Sequence, residues 1–246
     1  MCVARRLNTS PHAANGLLIT RTNRIRLLYD LRPGCNTIVG QLAMKMLHSP
    51  ASPFSRKVLV TAHELGIAAD IELVSLTTSP LKAHPTLVAG NPLAKIPTLL
   101  LHDGSALYDS RVIIEYLLTL GGVQLMAPAG PHRWRVLRWQ ALADGVMDAS
   151  VAIRYETTLR PADRIFPDWI QGQRDKIAAA LDALETEPLQ SAGQPLVGQI
   201  AIACALGYLD YRNIEPEWRA SRPSLAAFFA AFSGRRSMTA TMPAAV

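Results

Sequence analysis

Two short polar motifs stand where helices are predicted to begin, and both could stabilise a negative charge. Ser52 precedes Pro53, serine being suited to the N-cap and proline to the first helical turn. Asp109 and Ser110 precede a second amphipathic stretch. Because the first N–H groups of a helix are unpaired and its dipole is positive there, such a site favours an anion. Taken alone, the Ser52 motif is better explained by helix capping, and at Asp109 and Ser110 capping and an anion site can hold together.

The elements around these motifs form a small mixed domain. Strands are predicted at residues 44–48, 71–75 and 97–101, and a very short one after the hairpin turn at 102–105. Helices are predicted at residues 53–65 and 110–120. Residues 80–88 form a short helix or an irregular turn, because Pro85 would break a long helix. The order is therefore βαβα followed by ββα.

The chain after residues 121–130, a predicted linker, has helical periodicity only. Four helices are predicted, at residues 131–158, 168–187, 200–212 and 223–233. The longest apolar run, residues 200–206, is much shorter than the ~20 residues needed to cross a bilayer. We therefore expect an all-helical domain and no membrane partner.

Residues 1–43 have neither pattern and carry most of the net charge of +6, with six arginines against one aspartate. The nearly neutral remainder lacks the basic surface of a nucleic-acid-binding protein, so no nucleic-acid partner is expected. Three interpretations of this extension are open: a start codon assigned too early, an arginine-rich transit peptide, or a disordered arm. The first is favoured, because an ordered domain begins at Met44.

The cysteines indicate a reducing compartment. Cys2, Cys35 and Cys204 form no C-x-x-C motif and no cluster with zinc spacing. We expect a cytoplasmic protein with neither a disulfide framework nor a bound metal.

Five segments resemble, in order and spacing, the motifs of glutathione S-transferases. They are residues 49–58, 91–99, 108–117, 141–149 and 200–209. Any one is a weak signal, but the five together are highly specific and span residues 44–236. The resemblance implies an α+β protein with a thioredoxin-like βαβαββα domain at residues 44–121, followed by an all-α, electrophile-binding domain at residues 131–246.

The family's activity is conjugation of glutathione, as co-substrate, to small electrophiles, as in detoxification. A free thiol with a pKa of ~8.5 is only a few per cent ionised at neutral pH, so the thiolate must be stabilised. The resemblance implies that the Ser52 hydroxyl faces the sulfur and is the catalytic residue; related redox members carry cysteine there. Ser49, at the strand end, is the second choice.

The second motif is implied to hold the middle and one end of glutathione. The backbone of Ile96, before a cis Pro97, would pair with the cysteinyl unit like an added strand. Lys95, and less surely Lys82, would neutralise the glycyl carboxylate.

The third motif is implied to hold the γ-glutamyl end, with Ser110 and the helix start taking its carboxylate and Asp109 its ammonium. Asp144 and Asp148 share a face of the long helix. Two interpretations of them are open: Asp144 supports the glutathione amine from across a dimer interface, or the pair is an ordinary solvated face. The resemblance also implies a homodimer, joined through the helix at residues 110–120 and the long helix.

One departure from the family pattern concerns the central helix, where Leu196 and Gln199 replace the usual Ser/Thr cap and the aspartate three residues later. We expect a less stable helix start. The electrophile site is expected among the residues Met147, Arg154, Tyr155 and Trp218.

Two other functions compete with conjugation. Glutathione-dependent thiol exchange would need a cysteine at the helix start. A non-catalytic interaction module would keep the transferase fold without the chemistry.

Overall fold

The computed structural model describes residues 17–19, 25–27, 44–121, 125–189 and 193–244. The chain divides into a unit of residues 1–42 and a unit of residues 43–246. In the first unit, strands β1 (Leu17–Ile19) and β2 (Ile25–Leu27) pair antiparallel. The rest of the predicted extension, and residues 122–124 of the predicted linker, lie outside the described residues.

The second unit begins with a four-stranded sheet that confirms the predicted strands. These are β3 (Met44–His48), β4 (Ile71–Ser75), β5 (Thr98–Leu100) and β6 (Ala106–Leu107). The order across the sheet is β4-β3-β5-β6, with β3 and β4 parallel and the other pairs antiparallel. The parallel pair requires a crossover, which α1 provides.

Three helices complete this half: α1 (Pro53–Glu64), α2 (Pro85–Gly90) and α3 (Ser110–Gly121). Ser52 is the N-cap of α1, and its Oγ accepts a hydrogen bond from the Ser55 N–H at 3.2 Å. Gly66 follows α1 with a φ of +74°, a conformation that glycine adopts without strain. Of the two alternatives for residues 80–88, a short helix is present, and Pro85 is its first residue.

The remaining helices are α4 (Pro131–Leu159), α5 (Pro167–Glu185), α6 (Val197–Arg212), α7 (Pro223–Ser233) and α8 (Arg236–Ala240). The sequence predicted all but α8, whose five residues are too few for a periodic pattern. α6 is buried along nearly its whole length. It packs closely on α4, since a Cβ at Gly198 would lie 2.6 Å from the Val136 carbonyl oxygen. Among the described residues, none of the helices has the length and apolar character of a membrane span.

The start of α6 shows how the unusual cap residues are used. Gln199 Oε1 accepts a hydrogen bond from the Leu196 N–H at 2.7 Å, and Gln199 Nε2 donates to the Leu189 carbonyl at 2.7 Å. The Leu196 side chain has no acceptor for the N–H of Gln199. One half of a capping box is therefore present and the other half is missing.

α1 connects the sheet half to the helical half through polar contacts along its length. Lys57 pairs with Asp144 of α4. Near the end of α1, Glu64 pairs with Arg235, just before α8. Next to Lys57, Arg56 donates to the Met238 carbonyl of α8 at 3.1 Å. Arg56, one helical turn after Ser52, is thus held by a residue near the C-terminus.

Candidate functional site

A cleft lies between the loop before β5, the start of α3 and one face of α4; we call it the α3 cleft. Five of the predicted binding residues line it: Lys95, Ile96, Pro97, Asp109 and Ser110. The sixth, Lys82, lies in an exposed turn where its backbone pairs with Ser79, and it is not among the described residues that line the cleft.

The loop that forms one wall of the α3 cleft is held by Asn91. Its Nδ2 donates to the Lys95 carbonyl at 3.0 Å and to Thr98 Oγ1 at 3.1 Å, and its Oδ1 accepts from the Leu93 N–H at 3.0 Å. The Ile96–Pro97 peptide bond is cis, as the resemblance implied. Asn91 therefore sets the backbone of this loop. Its position in the second motif was noticed in the sequence, but its role was not.

The start of α3 forms the opposite wall. Asp109 Oδ1 accepts from the Arg111 N–H at 2.9 Å, so this carboxylate caps the helix. Ser110, the first residue of α3, is buried. Capping and an anion site at the helix start are compatible here, because the cap uses one carboxylate oxygen and leaves Ser110 beside the cleft.

The floor of the α3 cleft includes both aspartates of α4, Asp144 and Asp148. Asp144 is buried, and its Oδ1 lies 2.5 Å from Lys57 Nζ while its Oδ2 lies 3.4 Å from Arg111 Nε. Burial raises the pKa of the Asp144 carboxyl, and the charges of Lys57 and Arg111 act in the opposite direction. Burial, followed by repulsion from Asp144, also raises the pKa of Asp148.

The sequence reasoning missed Lys57 and Arg111 as parts of this site. Lys57 follows Phe54 by three residues on α1, and Phe54 also lines the cleft. A lysine so close to the buried face of an amphipathic helix is the one signal that could have found it. In the sequence, Arg111 has the pattern of an ordinary solvated residue. Its side chain is indeed more than half exposed in the structure.

Ser52 borders a second, smaller hollow, which we call the α6 hollow. It is lined by the first turn of α1, the C-terminal tail at Pro243 and the α6 residues Cys204, Gly207, Tyr208 and Tyr211. Since Phe54 lines the α3 cleft and Ser52 lines the α6 hollow, the first turn of α1 lies at the border of both. Within the described part of the chain, no acceptor takes the Ser52 hydroxyl proton.

The alternative hydroxyl, Ser49, lines neither space among the described lining residues. Its Oγ accepts from the Ala51 N–H at 3.4 Å, within its own turn. The geometry therefore favours Ser52 over Ser49 as the hydroxyl that could meet a ligand.

Two residues expected at the electrophile site belong to the core instead. Met147 and Trp218 are fully buried, and Trp218 Nε1 donates to Asp210 at 2.9 Å. Apolar helix positions look alike in sequence, so a core position could not be told from a pocket position. The Trp218 ring, for example, packs against Phe229 of α7 with ring centroids 6.0 Å apart. Tyr208 and Tyr211 line the α6 hollow.

Cys204 is fully buried, and burial raises its thiol pKa to about 11. A thiol with that pKa is almost wholly protonated at neutral pH and a poor nucleophile. Among the described residues, no group of histidine, cysteine and carboxylate side chains could hold a metal ion.

Comparison with known proteins identifies the same two halves. The family model described as the glutathione S-transferase N-terminal domain matches residues 51–120, and that of the C-terminal domain matches residues 167–231. A relative in Escherichia coli K12, described as the uncharacterized GST-like protein YibF, is 35% identical over 205 residues, which cover 81% of this chain and 98% of the relative.

Solved structures give the same result. A glutathione transferase family member from Pseudomonas fluorescens Pf-5, with bound glutathione, is 46% identical with a TM-score of 0.78 and covers 81% of this chain and 98% of its own. A glutathione S-transferase from Methylobacillus flagellatus KT, also with glutathione bound, is 36% identical with a TM-score of 0.70 and covers 81% of this chain and 99% of its own.

Proposed function

This chain belongs to the glutathione S-transferase family, and we propose that it activates the glutathione thiolate and transfers it to small electrophiles. The observation that carries the proposal is the position of Ser52. Ser52 is the N-cap of α1, and it borders the α6 hollow two residues before Phe54, which lines the α3 cleft. Its hydroxyl proton has no acceptor among the described residues.

Glutathione would lie along the α3 cleft. The Ile96 backbone would pair with its cysteinyl unit, and Lys95 would neutralise its glycyl carboxylate. At the other end, Ser110 and the start of α3 would bind the γ-glutamyl carboxylate, and Asp109 its ammonium. All four residues line this cleft, which supports the arrangement. The glutathione-bound relatives of similar sequence support the choice of ligand.

The sulfur would then sit at the start of α1, where three features favour the thiolate. The Ser52 hydroxyl donates a hydrogen bond to it, since its oxygen already accepts from Ser55. The helix dipole is positive there. Arg56, which also lines the α6 hollow, is buried and has no carboxylate partner among the described residues. Its charge adds positive potential beside the sulfur.

The chemical step would be nucleophilic attack by the thiolate. A sulfur lone pair forms the new C–S bond, and in a substitution the leaving group departs with the electron pair of the bond that breaks. In an addition to a C=C bond, the π electron pair of that bond moves to the neighbouring carbon, which takes a proton from water. Ser52 holds the thiolate before attack and transfers no proton of its own.

The test is the pH–rate profile of Ser52→Ala at saturating glutathione, beside thiolate absorbance. If the hydroxyl is worth about two pKa units, the thiolate fraction at pH 7 falls up to about 100-fold. The more basic thiolate is more nucleophilic, which recovers about tenfold. We expect a net loss of about tenfold that shrinks above pH 9. Ser49→Ala is the matched control and should leave the profile unchanged.

Profiles of parent and Ser52→Ala with the same midpoint would reject the proposal for Ser52 and leave it as a helix cap. A parent that is retained on immobilised glutathione, but shows no turnover with halogenated, epoxide or α,β-unsaturated substrates, would favour the non-catalytic module. Thiol exchange is disfavoured by the state of Cys204, the one cysteine among the described residues.

The proposal includes a homodimer that works in the cytoplasm. Exposed apolar side chains on the two helices expected at the interface support it: Val112 on α3 and Trp134 on α4. A monomeric mass at micromolar concentration with full activity would reject the dimer.

A further inference from the structure

We propose that the α6 hollow binds a carboxylate of the electrophile, so that the preferred substrates are short electrophiles that carry an acid group. Two cations hold this carboxylate: Arg56, which lines the hollow, and Arg212, which stacks on two tyrosines of its lining. The inference deepens the proposed function and rests on it for one point, the position of the glutathione sulfur beside Ser52.

Arg56 is a buried cation that the described residues satisfy only in part. Its Nε donates to Thr241 Oγ1 at 3.5 Å and its Nη2 to the Met238 carbonyl at 3.1 Å, but Nη1 has no acceptor among the described residues. Nη1 lies against Gly207, another residue of the hollow, since an added Cβ there would be 2.7 Å away. A buried charge is costly unless it is paired and hydrogen-bonded, so this nitrogen is a donor that an acidic ligand can use.

Arg212, the last residue of α6, is a second cation without an acidic partner. Its guanidinium lies 4.3 Å from the ring centroid of Tyr211 and 5.8 Å from that of Tyr208. Its Nε is buried and has no hydrogen-bond partner among the described residues. Burial raises the pKa of the Tyr208 hydroxyl, while Arg212 and Arg154 of α4 act in the opposite direction. Positive charge from both helices therefore reaches this wall of the hollow.

No acid of the chain balances this charge within the described part of the structure. None of the residues that line the hollow there is aspartate or glutamate. Asp144 of α4 is paired with Lys57, and Asp210 of α6 with Arg219. Together with the positive end of the α1 dipole, the two arginines leave a positive potential at the hollow. The glutathione thiolate supplies one negative charge, so a second anionic group on the electrophile complements the site.

The small size of the hollow limits the electrophile. The space open to the centre of a water-sized group is about 10 Å³. One ordered water needs about 10–15 Å³ on this measure, and a carboxylate oxygen is of similar size. An aromatic ring is much larger. We therefore expect the carboxylate to enter with one oxygen, and the carbon chain between it and the reacting carbon to be short.

A carboxylate held at the hollow also suits addition to an unsaturated acid. A sulfur lone pair forms the C–S bond at the far carbon of the C=C bond, and the π electron pair moves to the carbon next to the carboxylate. The carboxylate oxygens share this charge until that carbon takes a proton from water. Arginine donors aimed at these oxygens stabilise the charge as it develops. With a halogenated acid the same contact orients the substrate, and the halide leaves with the electron pair of its bond.

The experiment compares the binding of two conjugates to the full chain by titration calorimetry. S-carboxymethylglutathione and S-carbamoylmethylglutathione differ only in a carboxylate and an amide of nearly the same shape. Because hydrogen bonds to charged groups are the stronger ones, we expect the parent to bind the acid about tenfold more tightly than the amide. In turnover, chloroacetate should gain over chloroacetamide in the same direction, once each rate is divided by that of the uncatalysed reaction with glutathione.

Variants of the two arginines test which groups cause the preference for the acid. Arg212→Gln should reduce it from about tenfold to about twofold, and Arg212→Lys, which keeps the charge, should retain part of it. Arg56→Gln should reduce it as well, with urea unfolding to show whether the fold survives the loss of the Met238 contact. The matched control is Arg138→Gln, which removes the same charge from an arginine that pairs with Glu187 and is not among the described lining residues. It should keep the parent ratio.

Equal affinity of the parent for the two conjugates would overturn the proposal. An Arg212→Gln variant that keeps the parent ratio would overturn it too, because a merely structural role of Arg212 weakens both conjugates alike. If Arg56→Gln does not fold, the Arg212 variants decide alone.

The two proposals can fail separately, because calorimetry with conjugates needs no turnover. A preference for the acid conjugate in an inactive parent would reject conjugation and keep the carboxylate site. Turnover of neutral electrophiles, with equal affinity for both conjugates, would keep conjugation and reject the carboxylate site. A parent that binds neither conjugate would reject both.

Discussion

The two ends of α1 are both tied to the helical half by charged side chains, buried at the start and partly buried at the end, yet the two contacts are built differently. Near the start, Asp144 receives one hydrogen bond, from Lys57, and its second oxygen accepts none from the described residues. Near the end, Glu64 accepts from Arg235 Nε at 2.9 Å, from the second Arg235 nitrogen at 2.8 Å and from Ser237 Oγ at 2.5 Å. One network is half satisfied and the other is complete.

The difference correlates with distance from the α3 cleft. Asp144 lines the cleft, whereas Glu64 lies among His63, Gly66 and Arg235 at a separate surface. A complete network of charged hydrogen bonds rigidifies a contact, and an incomplete one costs stability unless something else uses it. We infer that the end of α1 fixes the fold and that its start serves the ligand.

The largest expected effect comes from breaking the half-satisfied pair on one side. Lys57→Met leaves the Asp144 charge buried without its close partner and should cost about 3–5 kcal/mol of unfolding free energy. Glutathione affinity should fall as well, because Arg111 then becomes the partner of Asp144 and is drawn from Asp109. Urea unfolding and calorimetry measure the two effects. A loss of stability with unchanged affinity would mean that both ends of α1 are structural.

Breaking the complete network at Glu64 should have a smaller effect than Lys57→Met, and the effect should be confined to the free energy of unfolding. Glu64→Gln keeps the shape but loses the charge, and should cost about 1.5–3 kcal/mol, the value of hydrogen bonds to charged groups. The glutathione Kd should stay at the parent value, because this contact lies away from the α3 cleft. A weakened Kd in Glu64→Gln would break the comparison, since any loosening of α1 would then affect binding.

The same network predicts a pH dependence of stability. Hydrogen bonding to Arg235, against the effect of burial, lowers the pKa of Glu64. A carboxyl with a depressed folded pKa contributes stability above its unfolded pKa, about 4.3, and loses it as pH falls through the folded value. The stability difference between parent and Glu64→Gln should therefore be constant near neutrality and shrink below about pH 4. A difference that grows in acid would contradict this assignment.

What the sequence predicted was local. Ser52 as a cap, the short strand after the 102–105 turn and the helix start at Ser110 all depend on residues within a few positions of one another. The cleft-lining role of Ile96 was instead implied by the family resemblance of its motif. Short-range chemistry of caps and turns can be read without knowing the fold.

What the sequence missed depends on residues far apart in the chain. Lys57 and Asp144 are separated by 87 positions, and Glu64 and Arg235 by 171. Nothing in the surroundings of either partner predicts the other. The α6 hollow was missed for a related reason: Tyr208 and Tyr211 face it only because α6 packs against the start of α1, and Met147 had the same apolar pattern but lies in the core.

The smallest effect is expected at the start of α6. Its capping box is also half satisfied, but we assign this helix start no part in ligand binding. Gln199 already satisfies the Leu196 N–H, while the Leu196 side chain cannot accept from the Gln199 N–H. Leu196 has the extended backbone of a normal N-cap, with φ −85° and ψ 155°, so serine fits without rearrangement.

Leu196→Ser should supply the missing acceptor, and Leu196→Ala removes the same side chain without supplying one. We expect Leu196→Ser to be more stable than Leu196→Ala by about 1 kcal/mol in urea unfolding, with the glutathione Kd equal in both. Equal stabilities would mean that the Gln199 contact alone satisfies this helix start. An incomplete polar network could then persist here without a function, and the incompleteness at Asp144 would no longer favour a role in binding.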